Sequence, residues 1–180
     1  QPPKILVWNM RGLNSPARHS SVYQIVLSAA VRIVCLQETK MELMTCDVVK
    51  QCLGNKFEDF FYVRAVGTRG GILLAWDKTV VMGSNPHVTT NTLTALFKQE
   101  GGPHWWFTGV YGPQHDVDKV EFIQEIRDIR DLHVGPWMVA GDFNLLVNTE
   151  DKNNNVVNRR MIARFRALLN RLALKELYLN

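Results

Sequence analysis

Five side chains with chemistry to offer stand where short apolar runs end. Asn9 closes "KILVWN", Glu38 closes "IVCLQE", Tyr111 closes "WFTGVY", and Asp142 with Asn144 closes "WMVAGDFN". A lone carboxylate such as Glu38, completed by water and substrate oxygens, is a common way to hold Mg2+, which keeps most of its own water shell. Asp142 is suited to activate a water, and Asn144 to hold Asp142 or phosphate oxygens in register. Asn9 supplies an amide that orients a metal-bound carboxylate or a phosphoryl oxygen without adding negative charge, and Tyr111 supplies a donor to the same oxygens. These parts suit metal-assisted attack of water on a phosphodiester: a Lewis acid, a positioned base, and donors for the charge growing on phosphorus. No covalent nucleophile is needed. Taken singly, each residue has a plainer role: Glu38 as a cap or surface group, Asn9 as a turn residue, Tyr111 as a core tyrosine, Gly-Asp-Phe-Asn as an Asx turn. Four separate strand ends carrying phosphate- and metal-compatible groups make a poor coincidence.

Ligands of open α/β sheets bind at the carboxyl ends of strands, where a rigid backbone fixes side chains and loops leave a crevice. The sequence supplies such strands. "KILVWNM" (4–10) is a strand, "RGLNSP" a loop leading to a helix with apolar residues Val22, Ile25, Val26 and Ala29, and "RIVCLQE" (32–38) a second buried strand. This β-α-β start predicts parallel neighbours. After a helix around 42–53, the runs "FEDFFYVRAV", "GGILLAWD", "TVVMG", "NTLTALFKQ" and "HWWFTGVYG" leave no room for helices, so the middle of the chain is antiparallel and the sheet mixed. Helical spacing returns at Val120, Ile123, Ile126 and Ile129. The last helix carries one apolar stripe, Met161, Ile162, Phe165, Leu168, Leu169 and Leu172, which reads as core.

Composition bounds the rest. With 180 residues, 46% of them hydrophobic, the chain has one well-buried core and a single α/β domain spanning 1–180 is expected. No apolar run approaches the roughly 20 residues that span a bilayer, and no basic-plus-apolar leader precedes the first strand. Cys35, Cys46 and Cys52 form neither a CxxC pair nor a zinc spacing, so they are expected as packing residues in a reducing, intracellular setting. The net charge of +4 is unevenly spread: residues 151–180 hold seven Lys or Arg, Lys152 among them, against two acids, a net of +5. That stretch is either a solvated helix face or, through Arg159, Arg160 and Arg164, a surface that attracts a polyanion.

Together, "WNMRGLNSP", "CLQET", "GGILLAW", "VYGP" and "GDFN" resemble the endonuclease/exonuclease/phosphatase superfamily in order and spacing. "GDFN" running into "EDKNNNVVNRRMIARFRALLNRL" is similar to the endonuclease domains of plant LINE-type non-LTR retrotransposons. The resemblance implies a four-layer α/β sandwich of two mixed sheets flanked by helices, as in deoxyribonuclease I. It implies Glu38 and Asn9 as metal-binding residues for Mg2+ or Mn2+. It implies Tyr111 as donor to the scissile phosphate, Asp142 as the residue that activates water or protonates the leaving group, and Asn144 as its partner. Duplex DNA is then the expected partner, with a monomeric chain, a reverse transcriptase domain in the parent polypeptide and a nuclear setting for a working retrotransposon endonuclease. By the resemblance Trp105, Trp106, Phe60 and Phe61 are core rather than base-stacking platforms. Family members end with a further stretch carrying an aspartate and a final Ser-Asp-His, before which this sequence stops, so the domain is expected to be incomplete at its C-terminal end. None of His19, His87, His104, His115 and His133 aligns with that histidine, and all are expected in loop or surface roles. Two other readings stay open: a phosphoesterase of the same superfamily acting on small substrates, and a decayed domain that keeps core and motifs without turnover.

Overall fold

The computed structural model describes residues 1–151 and 158–177. Lys152 and most of the "DKNNNVV" run lie outside these residues. The chain divides into two compact units. The first holds residues 1–111 and 135–142, the second 112–134 and 143–180.

The first unit opens with β1 (Ile5–Asn9), α1 (Pro16–Ala29) and β2 (Ile33–Gln37). Helix α1 starts where the sequence marks it: the Ser15 hydroxyl accepts from Arg18 N–H at 3.3 Å, and Pro16, which has no N–H to satisfy, occupies the first turn. Its buried stripe is narrower than expected, Val22 and Val26, with Ile25 turned to solvent. The second helix, α2 (Cys46–Leu53), begins four residues later than the apolar pattern suggests. Thr45 has an extended backbone there, and its hydroxyl caps Val48 N–H at 3.3 Å instead of continuing a helix.

The strands β3 (Asp59–Val63), β4 (Ile72–Trp76), β5 (Met82–Val88), β6 (Thr92–Lys98), β7 (His104–Tyr111) and β8 (Trp137–Asp142) complete two four-stranded sheets, ordered β1-β2-β4-β3 and β5-β6-β7-β8. Both are mixed. The β1/β2 and β7/β8 pairs are parallel and the others antiparallel. Strand β5 runs past the expected "TVVMG" through Pro86, because it is a sheet edge with a register break between Ser84 and His87 that absorbs the missing N–H.

Unbroken apolar runs in β2 and β4 follow from burial on both faces. Val34, Leu36, Leu73 and Ala75 face one core with Val22, Val26, Val49, Cys52 and Leu53 of the helices. Their alternates Ile33, Cys35, Ile72, Leu74 and Trp76 face a second core with Leu93, Ala95, Phe97 and Phe107 of the other sheet. Phe61 stacks on Trp76 at 5.0 Å and Trp105 on Phe97 at 5.3 Å, so these aromatics are core, as is Phe60 on the helix side; Trp106 is half-buried. On the other face of β6 and β7 the buried hydroxyls of Thr94 and Thr108 bond each other at 2.8 Å, and the Trp137 indole N–H donates to Thr108 at 2.8 Å.

The second unit contains α3 (Asp116–Leu132), a 3-10 turn at Thr149–Asp151 and α4 (Arg159–Arg171). Phe143 packs on Phe122 of α3 at 6.4 Å and Phe165 of α4 at 5.4 Å. The buried stripe of α3 is Phe122, Ile123, Ile126 and Ile129, with Val120 exposed. That of α4 is Met161, Ile162, Phe165 and Leu168, with Leu169 half-buried and Leu172 at the C-cap.

Candidate functional site

Asn9, Glu38, Tyr111 and Asp142 belong to the first unit, and the structure brings their strand ends together. Asn9 is the last residue of β1, and its Nδ2 donates to Asp142 Oδ2, at the end of β8, at 2.9 Å. The amide is held from its other side, where Arg11 N–H donates to Asn9 Oδ1 at 3.1 Å. Asp142 lies opposite Tyr111 in the parallel β7/β8 ladder. Tyr111 and Glu38 meet across Gly70: a Cβ there would stand 2.8 Å from Glu38 Cγ and 3.0 Å from a Tyr111 ring carbon. Glu38 follows Gln37, the ladder partner of Asn9. The four side chains therefore close a ring around the carboxyl ends of β1, β2, β7 and β8.

The local sequence explains each placement. Gly141 of "GDFN" has φ +138°, and a Cβ there would run into the Val110 carbonyl, so only glycine lets β8 lie this close to β7 just before Asp142. Glu38 has φ +53°, in the left-handed region. Neighbouring loops hold it there. Gly12 N–H donates to Glu38 O at 2.8 Å and Leu13 N–H to Thr39 O at 2.8 Å, while on the other side Lys40 N–H donates to Gly70 O at 2.6 Å. Arg11 and Lys40 share the left-handed conformation, so strained residues gather at this end of the sheet.

The Glu38 side chain is 18% exposed, and its one side-chain partner among the described residues is Lys40 Nζ at 3.5 Å. No three His, Cys, Asp or Glu side chains cluster as a metal cage among the described residues. One carboxylate beside amide and phenol groups instead fits a hard cation that brings its own waters and takes its remaining ligands from a phosphate. Glu38 and Asn9 are the residues that could hold it.

Asn144 lies in the second unit, at φ +49°, and its Nδ2 donates to Gly112 O at 2.7 Å. Arg159, Arg160 and Arg164 are exposed on α4 of the same unit, where Asn158 caps the helix by accepting from Met161 N–H at 3.1 Å. Cys35 and Cys52 are buried, and burial pushes both thiols up to about 12, the Gln37 amide on Cys35 Sγ offsetting only part of it. They pack, as expected; Cys46 does not, being exposed at the start of α2. His104 and His115 are exposed and His133 caps α3, but His19 is half-buried on α1 with both ring nitrogens engaged. His19 therefore departs from the loop or surface role expected of it, and Lys40 and Gly70 join the site without having been expected there. Gly70 was legible inside "GGILLAW", whereas nothing local marks the partners of His19.

The sequence matches the Endonuclease/Exonuclease/phosphatase family over residues 6–172. The chain belongs to this family. Its members are hydrolytic phosphodiesterases and nucleases, generally dependent on a divalent metal. The two mixed sheets with their helices have the deoxyribonuclease I-like α/β sandwich fold. The chain is similar to the AP endonuclease LMAP from Leishmania major, with 15% identity, TM-score 0.68, and 94% of this chain covering 66% of that one. It is also similar to D. rerio TDP2 complexed with a single-strand DNA product (17% identity, TM-score 0.57, 79% covering 60%). A third similarity is to the human Nocturnin catalytic domain with bound sulfate (19%, TM-score 0.54, 81% covering 65%). The chain thus spans about two thirds of the length of these structures. None of the curated protein sequences matches it. Among the described residues, no helix is long and apolar enough to cross a membrane.

Proposed function

We propose that this chain hydrolyses phosphodiesters with the help of Mg2+ or Mn2+, and that its substrate is duplex DNA, nicked in one strand as by a LINE-type retrotransposon endonuclease. The observation that carries the hydrolytic reading is the Asn9–Asp142 hydrogen bond, which fixes a carboxylate at the strand ends shared with Glu38 and Tyr111. The retrotransposon reading is supported by the run from "GDFN" through "EDK" into a basic helix, and the DNA reading by a same-fold neighbour that holds a DNA product. Exposed Arg159, Arg160 and Arg164 suit a polyanionic strand.

Each residue then has a distinct task. Glu38 and Asn9 would hold the cation, which would serve as a Lewis acid for the phosphate. Asp142, aimed by the Asn9 amide, takes a proton from water as the water oxygen bonds to phosphorus and one P–O bond to the sugar breaks, the sugar oxygen leaving as the alcohol with a proton from solvent water. Tyr111 donates to the phosphate oxygens, and Asn144 steadies the loop after β8 through Gly112.

Supercoiled plasmid incubated with the chain and Mg2+ is expected to relax to nicked circles, and not with a chelator. Glu38→Ala and Asp142→Asn are each expected to slow nicking by about 10²–10⁴-fold, the range for a lost positioned acid, base or electrostatic group. Turnover of small phosphoesters without DNA nicking would overturn the substrate. Nicking unaffected by either substitution would overturn the site.

A further inference from the structure

We propose that His19, seconded by Arg18, is a positioning residue that clamps the loop between Asn9 and Ser15 and through it sets the geometry of Glu38. The inference rests on the reading of Glu38 as the metal-holding carboxylate and adds a residue that reading does not contain. Residues 10–13 leave β1 and run alongside 37–39, with Met10, Gly12 and Leu13 N–H donating to Gln37, Glu38 and Thr39 carbonyls at 2.9, 2.8 and 2.8 Å. Those bonds face β2. The loop's own carbonyls are taken by the first turn of α1: Arg18 Nη1 donates to Met10 O at 2.8 Å, and His19 Nε2 to Leu13 O at 2.7 Å. A carbonyl can only accept, so Nε2 carries a proton. His19 Nδ1 faces the Gln51 side-chain amide of α2 at 3.2 Å, which ties the ring to a second helix.

The clamp has work to do because Arg11, Glu38 and Lys40 all lie in the left-handed region, a conformation that persists only where the surroundings over-determine it. Helix α1 is held by its own cap and by Val22 and Val26 in the core, so it is a rigid base from which to hold the loop. Freeing Leu13 O would loosen the Gly12 and Leu13 bonds that keep Glu38 in place.

The test uses the full chain with His19→Ala, His19→Gln, whose amide can still donate to Leu13 O, and Glu38→Ala as the control for the metal reading. Amide hydrogen exchange at Gly12 and Leu13 is expected to quicken by about 5- to 10-fold in His19→Ala, the effect of one lost hydrogen bond. Exchange in β2 and β4 should stay unchanged, and His19→Gln should restore protection. Mn2+ affinity, read from the free-ion signal in electron paramagnetic resonance, should weaken in parallel and recover in His19→Gln. Unchanged exchange at Gly12 and Leu13, or an equal rise throughout the sheet, overturns the clamp. So does unchanged Mn2+ affinity in His19→Ala when Glu38→Ala loses it. If Glu38→Ala itself leaves Mn2+ affinity intact, the metal reading of Glu38 falls instead, and the exchange data alone decide whether His19 holds the loop.

Discussion

Glu38 and Asp77 are carboxylates at opposite ends of the same two strands. Gln37 pairs with Ile72 and Ile33 with Trp76, so Glu38 follows β2 at one end of the ladder and Asp77 follows β4 at the other. Asp77 is fully buried and accepts from Arg32 Nη1 at 2.8 Å, Thr79 N–H at 3.0 Å and Thr79 Oγ1 at 2.6 Å. Burial pushes its carboxyl up, but the Thr79 hydroxyl, the Thr79 N–H and the Arg32 guanidinium together outweigh it and hold the group below the usual carboxylate range. Among the described residues Glu38 has a single, longer side-chain contact, to Lys40, itself half exposed, on a strained backbone. A buried carboxylate that already accepts three hydrogen bonds has little left for a ligand; one with a single long contact on a fixed backbone has more. The same residue class at the same kind of position is thus tied into the fold at one end and left with acceptor capacity at the other.

The largest test of that contrast is to delete each carboxylate. Asp77→Ala removes three hydrogen bonds, one of them an ion pair, and should lower the unfolding free energy by about 3 kcal/mol, discounted from a fully buried pair because Arg32 keeps solvent contact. Glu38→Ala should change it by less than about 1 kcal/mol, since its ion pair is long, at 3.5 Å, and the Lys40 partner is half exposed. Urea unfolding of both variants measures this, and equal losses would erase the distinction.

The acid limb gives a second, smaller effect. The Asp77 pKa is lower folded than unfolded, so its stabilisation is full above the unfolded value of about 4 and is lost as pH falls through the folded one. The stability gap between wild type and Asp77→Asn should therefore shrink between about pH 5 and pH 2. A gap that stays constant over that window would show that Asp77 acts through shape rather than charge.

Sequence alone could not have told these two carboxylates apart. "IVCLQE" and "GGILLAWD" are the same pattern, an apolar strand ending in an acid, and Glu38 was singled out by being grouped with Asn9, Tyr111 and Asp142 and by the motif resemblance. The elements themselves were legible because β2 and β4 are buried on both faces and α4 on one, which writes a periodicity into the chain. Partners distant in sequence leave no such trace. Asn9 reaches Asp142 across 133 positions, and Arg32 reaches Asp77 across 45. The late start of α2 was missed for a related reason: the Thr45 hydroxyl wins a local competition for a backbone N–H that apolar spacing cannot register.

Smallest in size, and most telling, is a substitution expected to improve the fold while removing the chemistry. Glu38 holds φ +53°, which costs a non-glycine residue on the order of 1 kcal/mol, and glycine adopts it freely. Glycine also loses more conformational entropy on folding, which offsets part of the relief, so Glu38→Gly should raise stability by about 0.5 kcal/mol. The readout is a higher urea midpoint at unchanged slope, with nicking reduced to the level seen with chelator. A midpoint that falls instead would mean that the Glu38 side chain, packed against Gly70 and paired with Lys40, contributes more to the fold than its backbone costs. The left-handed conformation would then be incidental to the site rather than a strain the sheet sustains in order to present a carboxylate.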